Sequence, residues 1–286
     1  MIYLFLALLS SVFVSIVIKY FGKFNINNFQ AITFNYVISL GVSVLLYKGN
    51  SLNTGIINET WFYYAMIIGC GFILMFNLYA FSVKKIGIAL STVSSKMSVI
   101  IPVYSGILLF NDSFNINKII GFFLTLLAFY LIFKKEKDIP FRKEYFWLPL
   151  LLFTTNGFND TMQNYSQKTF LSNNNSVLLF MIIIFGIALL IGSLIIIFKL
   201  FYNKEKIQNK NIIAGFTLGL FNFFGTFFFI KAISAYQSTF IFPVFNVSLV
   251  SLTALVGYFF FKEKLRPVNW FGLLAACLAI TIIALG

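Results

Sequence analysis

Two side chains in this 286-residue sequence stand where charge is hardest to keep. Lys96 lies among Ser91, Thr92, Ser94, Ser95 and Ser98, near the middle of a long apolar run, and Asp160 is the only acid inside any apolar run of the chain. A charged group at the centre of a bilayer costs roughly 2.5 to 3.5 kcal/mol on insertion scales, so each needs a partner or a wet cavity. Asp160 brings its own polar surroundings. Its run is apolar from Leu148 to Phe153 and then turns polar through Thr154, Thr155, Asn156, Asn159, Asp160, Gln163 and Asn164. Helical spacing sets Asn156, Asp160, Gln163 and Asn164 on one stripe. Such a half-helix cannot face lipid, because its amides and carboxylate would lose their hydrogen bonds. It either lines a cavity or holds polar helices together, at about 0.6 to 2 kcal/mol per hydrogen bond. For Lys96 the economical reading is a pairing with Asp160; the competing one is a helix break, or a shifted boundary that makes it interfacial. An ammonium and a carboxylate in an amide-rich cavity could take up the two ends of a zwitterion. Asn35, Asn77, Asn222 and Asn246 are further candidates for lining the same pathway. Asn246 follows Pro243, whose missing N–H frees carbonyls, and Pro102 is expected to kink its own helix in the same way.

Composition removes most other chemistry. Histidine is absent, which excludes imidazole bases and His-ligated metals. No phosphate-binding loop is present, so direct use of ATP is excluded, and no paired acidic motif for a metal-diphosphate occurs. Cys70 and Cys277 sit in apolar runs and read as small buried hydrophobes. No enzyme, no catalytic residue, no metal and no cofactor is expected; proton or sodium coupling stays open, with Asp160 the candidate proton site.

The elements that must hold these residues follow from the same numbers. Hydrophobic residues make up 60% and charged ones only 10% of the chain, where a soluble domain carries about 25% charged. The chain is therefore expected to be an all-α integral membrane protein. Ten runs have spanning length: Ile2 to Ile18, Gln30 to Tyr47, Trp61 to Val83, Ile86 to Phe110, Ile119 to Phe133, Phe146 to Gln167, Val177 to Phe198, Ile212 to Ile230, Thr239 to Phe261 and Trp270 to Leu285. The first begins at Met1 without a basic stretch or a cleavage pattern and reads as a retained helix. Trp61, Trp147 and Trp270 stand at helix starts as interfacial anchors.

The formal charge of +13 is a topology signal rather than a nucleic-acid footprint. Lys19, Lys23, Lys84, Lys85, Lys134, Lys135, Lys137, Arg142, Lys143, Lys199, Lys204, Lys206, Lys210, Lys262, Lys264 and Arg266 follow the odd-numbered runs, against Lys48, Lys118, Lys168 and Lys231 on the other side. The positive-inside rule puts the first set in the cytoplasm and both termini outside a multi-pass inner or plasma membrane.

The sequence also matches itself. A shift of 151 superposes Gly106 on Gly257, Phe110 on Phe261, Asp112 on Glu263 and Gly121 on Gly272. A shift of 145 pairs Phe13 with Phe158 and Tyr20 with Tyr165. The two five-helix repeats, 1–134 and 145–286, would be inverted relative to each other because five is odd. A chance match between glycine-punctuated helices is the dull alternative. Asp112 and Glu263 are expected to cap the helix that follows them or to pair with nearby lysines.

The segments from Lys96 to Phe133 and from Phe242 to Ala284, with their repeated loop acid and helix-start glycine, resemble the drug/metabolite transporter (DMT) superfamily, specifically its EamA-like ten-helix branch. The resemblance implies a substrate cavity between the repeats, alternating access and, usually, export of amino acids or other small metabolites. Two departures accompany it. Ten-helix members commonly have cytoplasmic termini, and related small multidrug exporters carry a glutamate in the first helix where this chain has Ser11, with Asn156 as its repeat mate. The chain thus reads as a secondary transporter of a small organic metabolite, favouring a zwitterion. A lipid-carrier flippase or a non-transporting partner subunit is the alternative. Its partners are a small-molecule substrate and the lipid bilayer; a homodimer stays open, and nucleic acid is not expected.

Overall fold

The computed structural model describes residues 1–49, 54–86, 88–134, 143–202, 205–262 and 264–285. These form eleven α-helices and, among the described residues, no strand: α1 Ile2–Lys23, α2 Asn28–Leu46, α3 Thr60–Ile86, α4 Ile88–Met97, α5 Ile100–Phe110, α6 Ile116–Phe133, α7 Trp147–Phe170, α8 Asn174–Tyr202, α9 Asn209–Ala235, α10 Ser238–Phe261 and α11 Pro267–Ala284. Nine spans among the described residues are long and apolar enough to cross a membrane, Leu90–Phe110 counting as one. The polar α7 is not among the nine. Glu263, Lys135, Lys137, Arg142 and Lys204, which carried expectations about capping and topology, lie outside the described residues.

The fourth apolar run is not one helix. Pro102 has no N–H to give the carbonyl four residues back, and the Ser98 carbonyl instead takes the Ile101 N–H at 2.9 Å in a tighter turn. The chain is interrupted at Ser98 and Val99, directly after Lys96 and Met97. Pro243 behaves differently: α10 runs through it unbroken. Elsewhere asparagines start helices, since their side chains satisfy N–H groups with no intrahelical partner. Asn27 Oδ1 accepts from the Phe29 and Gln30 N–H groups, and Asn115 Oδ1 from that of Lys118 at 3.0 Å.

The chain folds as two compact units. The first comprises residues 1–74 and 165–234, the second 75–164 and 235–286. Contact thus cuts the chain differently from the sequence match, each unit drawing on both halves. In the first unit α2 packs on α8. It also lies close to α9, because a Cβ on Gly215 would meet the Ala31 carbonyl at 2.6 Å and one on Gly219 the Asn35 carbonyl at 2.7 Å.

In the second unit α6 and α11 are the principal pair, with α10 packed on both. Their contact is reciprocal. Gly121, near the start of α6, abuts Ala279 and Ile283 near the end of α11, while Gly272, near the start of α11, abuts Leu131 and Ile132 near the end of α6. Asn269 Nδ2 fastens this junction, donating to the carbonyls of Leu131 at 3.0 Å, Ile132 at 2.9 Å and Lys134 at 3.1 Å. The ends of α5 and α10 and the helices that follow them match in their described residues. Helix α5 ends at Phe110 and α10 at Phe261; Asn111 and Lys262 follow with φ of 51° and 54°, their N–H groups returning to the carbonyls of Gly106 and Gly257. Asn115 and Arg266 then open α6 and α11, each 18 residues long.

Cys70 and Cys277, expected to be buried, are both free and exposed. Each lies on an outward helix face, where hydrocarbon in place of water removes the need to bury an apolar run.

Candidate functional site

The second unit gathers the two membrane charges. The last turn of α4 holds Lys96, whose Nζ donates to Asn246 Oδ1 of α10 at 3.1 Å. The Asn246 amide is held in turn, its Nδ2 donating to the Phe242 carbonyl at 3.0 Å. Asp160 on α7 lies near enough for its charge to act on Lys96, and Lys96 acts reciprocally on it. Both charged side chains are partly buried, and Asn246 is buried. Three helices therefore contribute one group each: an ammonium, a carboxylate and an amide.

Around them α7 presents the polar stripe. Gln163 Nε2 donates to Asn159 Oδ1 at 2.9 Å, and both side chains are buried. Asn156 Nδ2 is turned back onto its own helix at the Leu152 carbonyl, 2.7 Å away. Gly157 lets α7 approach α5 closely, since a Cβ there would strike Ile101. Asn164 Nδ2 donates to Ser238 Oγ at 2.9 Å. Two buried oxygens on α7, Thr161 Oγ1 and Asn164 Oδ1, have no hydrogen-bond partner among the described residues. The serines beside Lys96 are less free: Ser94 Oγ bonds to the Leu90 carbonyl and Ser98 Oγ to that of Ser95.

The other predicted residues fall elsewhere. Asn77 is exposed on α3. Asn35 and Asn222 belong to the first unit, where Asn222 Nδ2 donates to Asn35 Oδ1 at 2.9 Å. Ser39 Oγ bridges Asn35 Oδ1 and the Gly219 carbonyl at 3.2 and 3.0 Å. This is a tie between α2 and α9 at the glycine contact. The nine predicted residues thus separate into seven in the second unit and two in the first.

Asp112 caps a helix, although not the one that follows it. Its carboxylate accepts from the Ser238 N–H at the start of α10, while Asn115 caps α6. The reason is geometric: after the left-handed turn at Asn111 the loop runs to α10 before it starts α6. Lys118, buried at 5% exposure, completes the corner by donating to Ser113 Oγ at 2.6 Å and Gln237 Oε1 at 2.7 Å. Gln237 and Ser238 had no signal in the sequence, because their partners lie 74 to 126 residues away.

Nine spans among the described residues, each long and apolar enough to cross a membrane, mark a multi-pass α-helical membrane protein. Residues 165–285 match the EamA-like transporter family, the domain of the drug/metabolite transporter superfamily. Over those residues the chain is similar to a family of membrane transporters. An uncharacterised protein of Haemophilus influenzae is 25% identical over 283 residues, covering 97% of this chain and 95% of the relative. A crystal structure aligns with 99% of this chain and 96% of its own, with a TM-score of 0.79 at 12% identity, which is a likeness of fold.

Proposed function

We propose that the protein exports a small organic metabolite, an amino acid or similar zwitterion, across the plasma membrane by alternating access. The observation that carries this reading is the Lys96 to Asn246 hydrogen bond between α4 and α10, with Asp160 of α7 within electrostatic reach in the same unit. Lys96 suits a substrate carboxylate. Asp160, with the unpartnered acceptors Thr161 Oγ1 and Asn164 Oδ1 on the same helix, suits an ammonium. The interruption at Ser98 and Val99 lets α4 reorient on α5 without unwinding, so the anchor carrying Lys96 can shift while α5 stays packed. The export direction comes from the resemblance, and extracellular termini from the lysine distribution.

Two inverted repeats, 1–134 and 145–286, are part of the same reading. Supporting them are the left-handed C-caps that end α5 and α10, the equal lengths of α6 and α11 and the start-to-end packing of α6 on α11. A two-fold axis in the membrane plane would relate the pair in this way.

The reading is tested by thermal unfolding of the purified protein against amino acids, sugars, nucleosides, polyamines and lipid-carrier phosphates. A ligand at about 100 times its dissociation constant stabilises by about 2.7 kcal/mol. A shift from a zwitterion that vanishes in Lys96→Met and in Asp160→Asn is expected. A shift only from lipid-carrier phosphates would replace this reading with a flippase.

A further inference from the structure

At one end of the first unit, the loop joining α1 to α2 meets the segment entering α9 around a cavity of about 300 Å³. We infer that this cavity is a binding site for a phosphate-bearing anion at the membrane interface, filled by the headgroup of an anionic phospholipid.

The walls are polar and fixed. Asn211 Nδ2 donates to Gln30 Oε1 at 2.7 Å, Asn211 Oδ1 accepts from the Asn27 N–H at 3.1 Å, and Gln30 Nε2 donates to the Lys206 carbonyl at 3.1 Å. Gln30 and Asn211 are buried by this ring of bonds. Asn25, Lys206 and Gln208 line the same cavity and are exposed, so their side chains are available to a ligand.

Charge accumulates at this end. Besides Lys206, Lys210 Nζ donates to the Phe24 carbonyl at 3.2 Å, Lys199 Nζ lies 4.7 Å from the Phe29 ring centroid, and Lys23 Nζ lies 6.0 Å from that of Phe24. Glu205 is the one acid in the two connecting segments. Four lysines against one carboxylate attract an anion, and the exposed amides of Asn25 and Gln208 at the rim suit phosphate oxygens.

The cavity's depth identifies the source. Phe24, Phe198, Phe201 and Tyr202 are exposed at the same end, the aromatic belt that marks the headgroup level. A phosphate presented at that level is carried by lipid, while a free phosphate would have to arrive from the aqueous side.

The test is binding of the detergent-solubilised protein to nanodiscs of phosphatidylglycerol or of phosphatidylcholine, with inorganic phosphate as competitor. Binding to phosphatidylglycerol alone, weakened about fivefold in Lys206→Gln and reduced in Gln208→Leu, is the expected result. Lys48→Gln, exposed at the opposite end of α2, should leave it unchanged. Competition by inorganic phosphate would keep the phosphate site but make a free anion its ligand. Equal binding to phosphatidylcholine, or equal losses in Lys206→Gln and Lys48→Gln, would overturn the site. Lys206 and Gln208 lie on the exposed rim, so folding is not at stake in either variant.

Discussion

Lys96 and Asp160 stand out in the sequence as candidates because a charge in an apolar run has a cost that composition cannot hide. Their third companion, Asn246, was visible only as one asparagine among several, since the contact spans 150 residues of chain. Two opposite charges within electrostatic reach could exist merely to neutralise each other, and a double substitution separates the cases. If the pair is only structural, removing one member costs about 3 kcal/mol and removing both restores stability. The proposed role is different: Lys96→Met combined with Asp160→Asn should recover thermal stability relative to the single variants and still bind no zwitterion. Recovery of binding in the double variant would reduce the pair to a structural one. The cysteines show where residue-level reading failed. Apolarity signals burial in water, but within a bilayer the outward face of a helix is apolar too.

Among elements, the ends of helices were read less well than their existence. The break after Lys96 follows from Pro102, yet Pro243 sits inside a continuous α10, so a proline alone does not say whether a helix kinks or parts. What differs is the local turn: Ser98 gives its carbonyl to Ile101, whereas α10, packed on α5, α6 and α11, continues through Pro243. Glycines carried a sharper signal. Gly121 and Gly272, matched in the sequence by their spacing, turn out to be the two close-approach points of one helix pair. Backbone atoms stand 2.7 Å from a Cβ at Gly272 and at Gly219. Gly272→Ala and Gly219→Ala should therefore each destabilise by about 1 to 3 kcal/mol in thermal or denaturant unfolding. Gly41, with nothing within 4 Å, should accept alanine without loss.

For the whole molecule, the all-α membrane architecture was dictated by the hydrophobic fraction and run lengths, while the division into two units was not, because it depends on contacts between distant segments. Sidedness rests on loop lysines. In intact cells a cysteine placed at Lys48 of a Cys70→Ser, Cys277→Ser background should react with an impermeant maleimide, and one placed at Lys206 should react only after permeabilisation. The reverse pattern would put the termini in the cytoplasm. The central claim, that this transporter carries a zwitterion on the Lys96, Asn246 and Asp160 site, is met most directly by counterflow. Proteoliposomes loaded with an unlabelled amino acid should accumulate the labelled one above its equilibrium level, and those made with Lys96→Met should not. Folded, reconstituted protein that exchanges no amino acid of any class, or exchanges one equally well in Lys96→Met, would contradict the account.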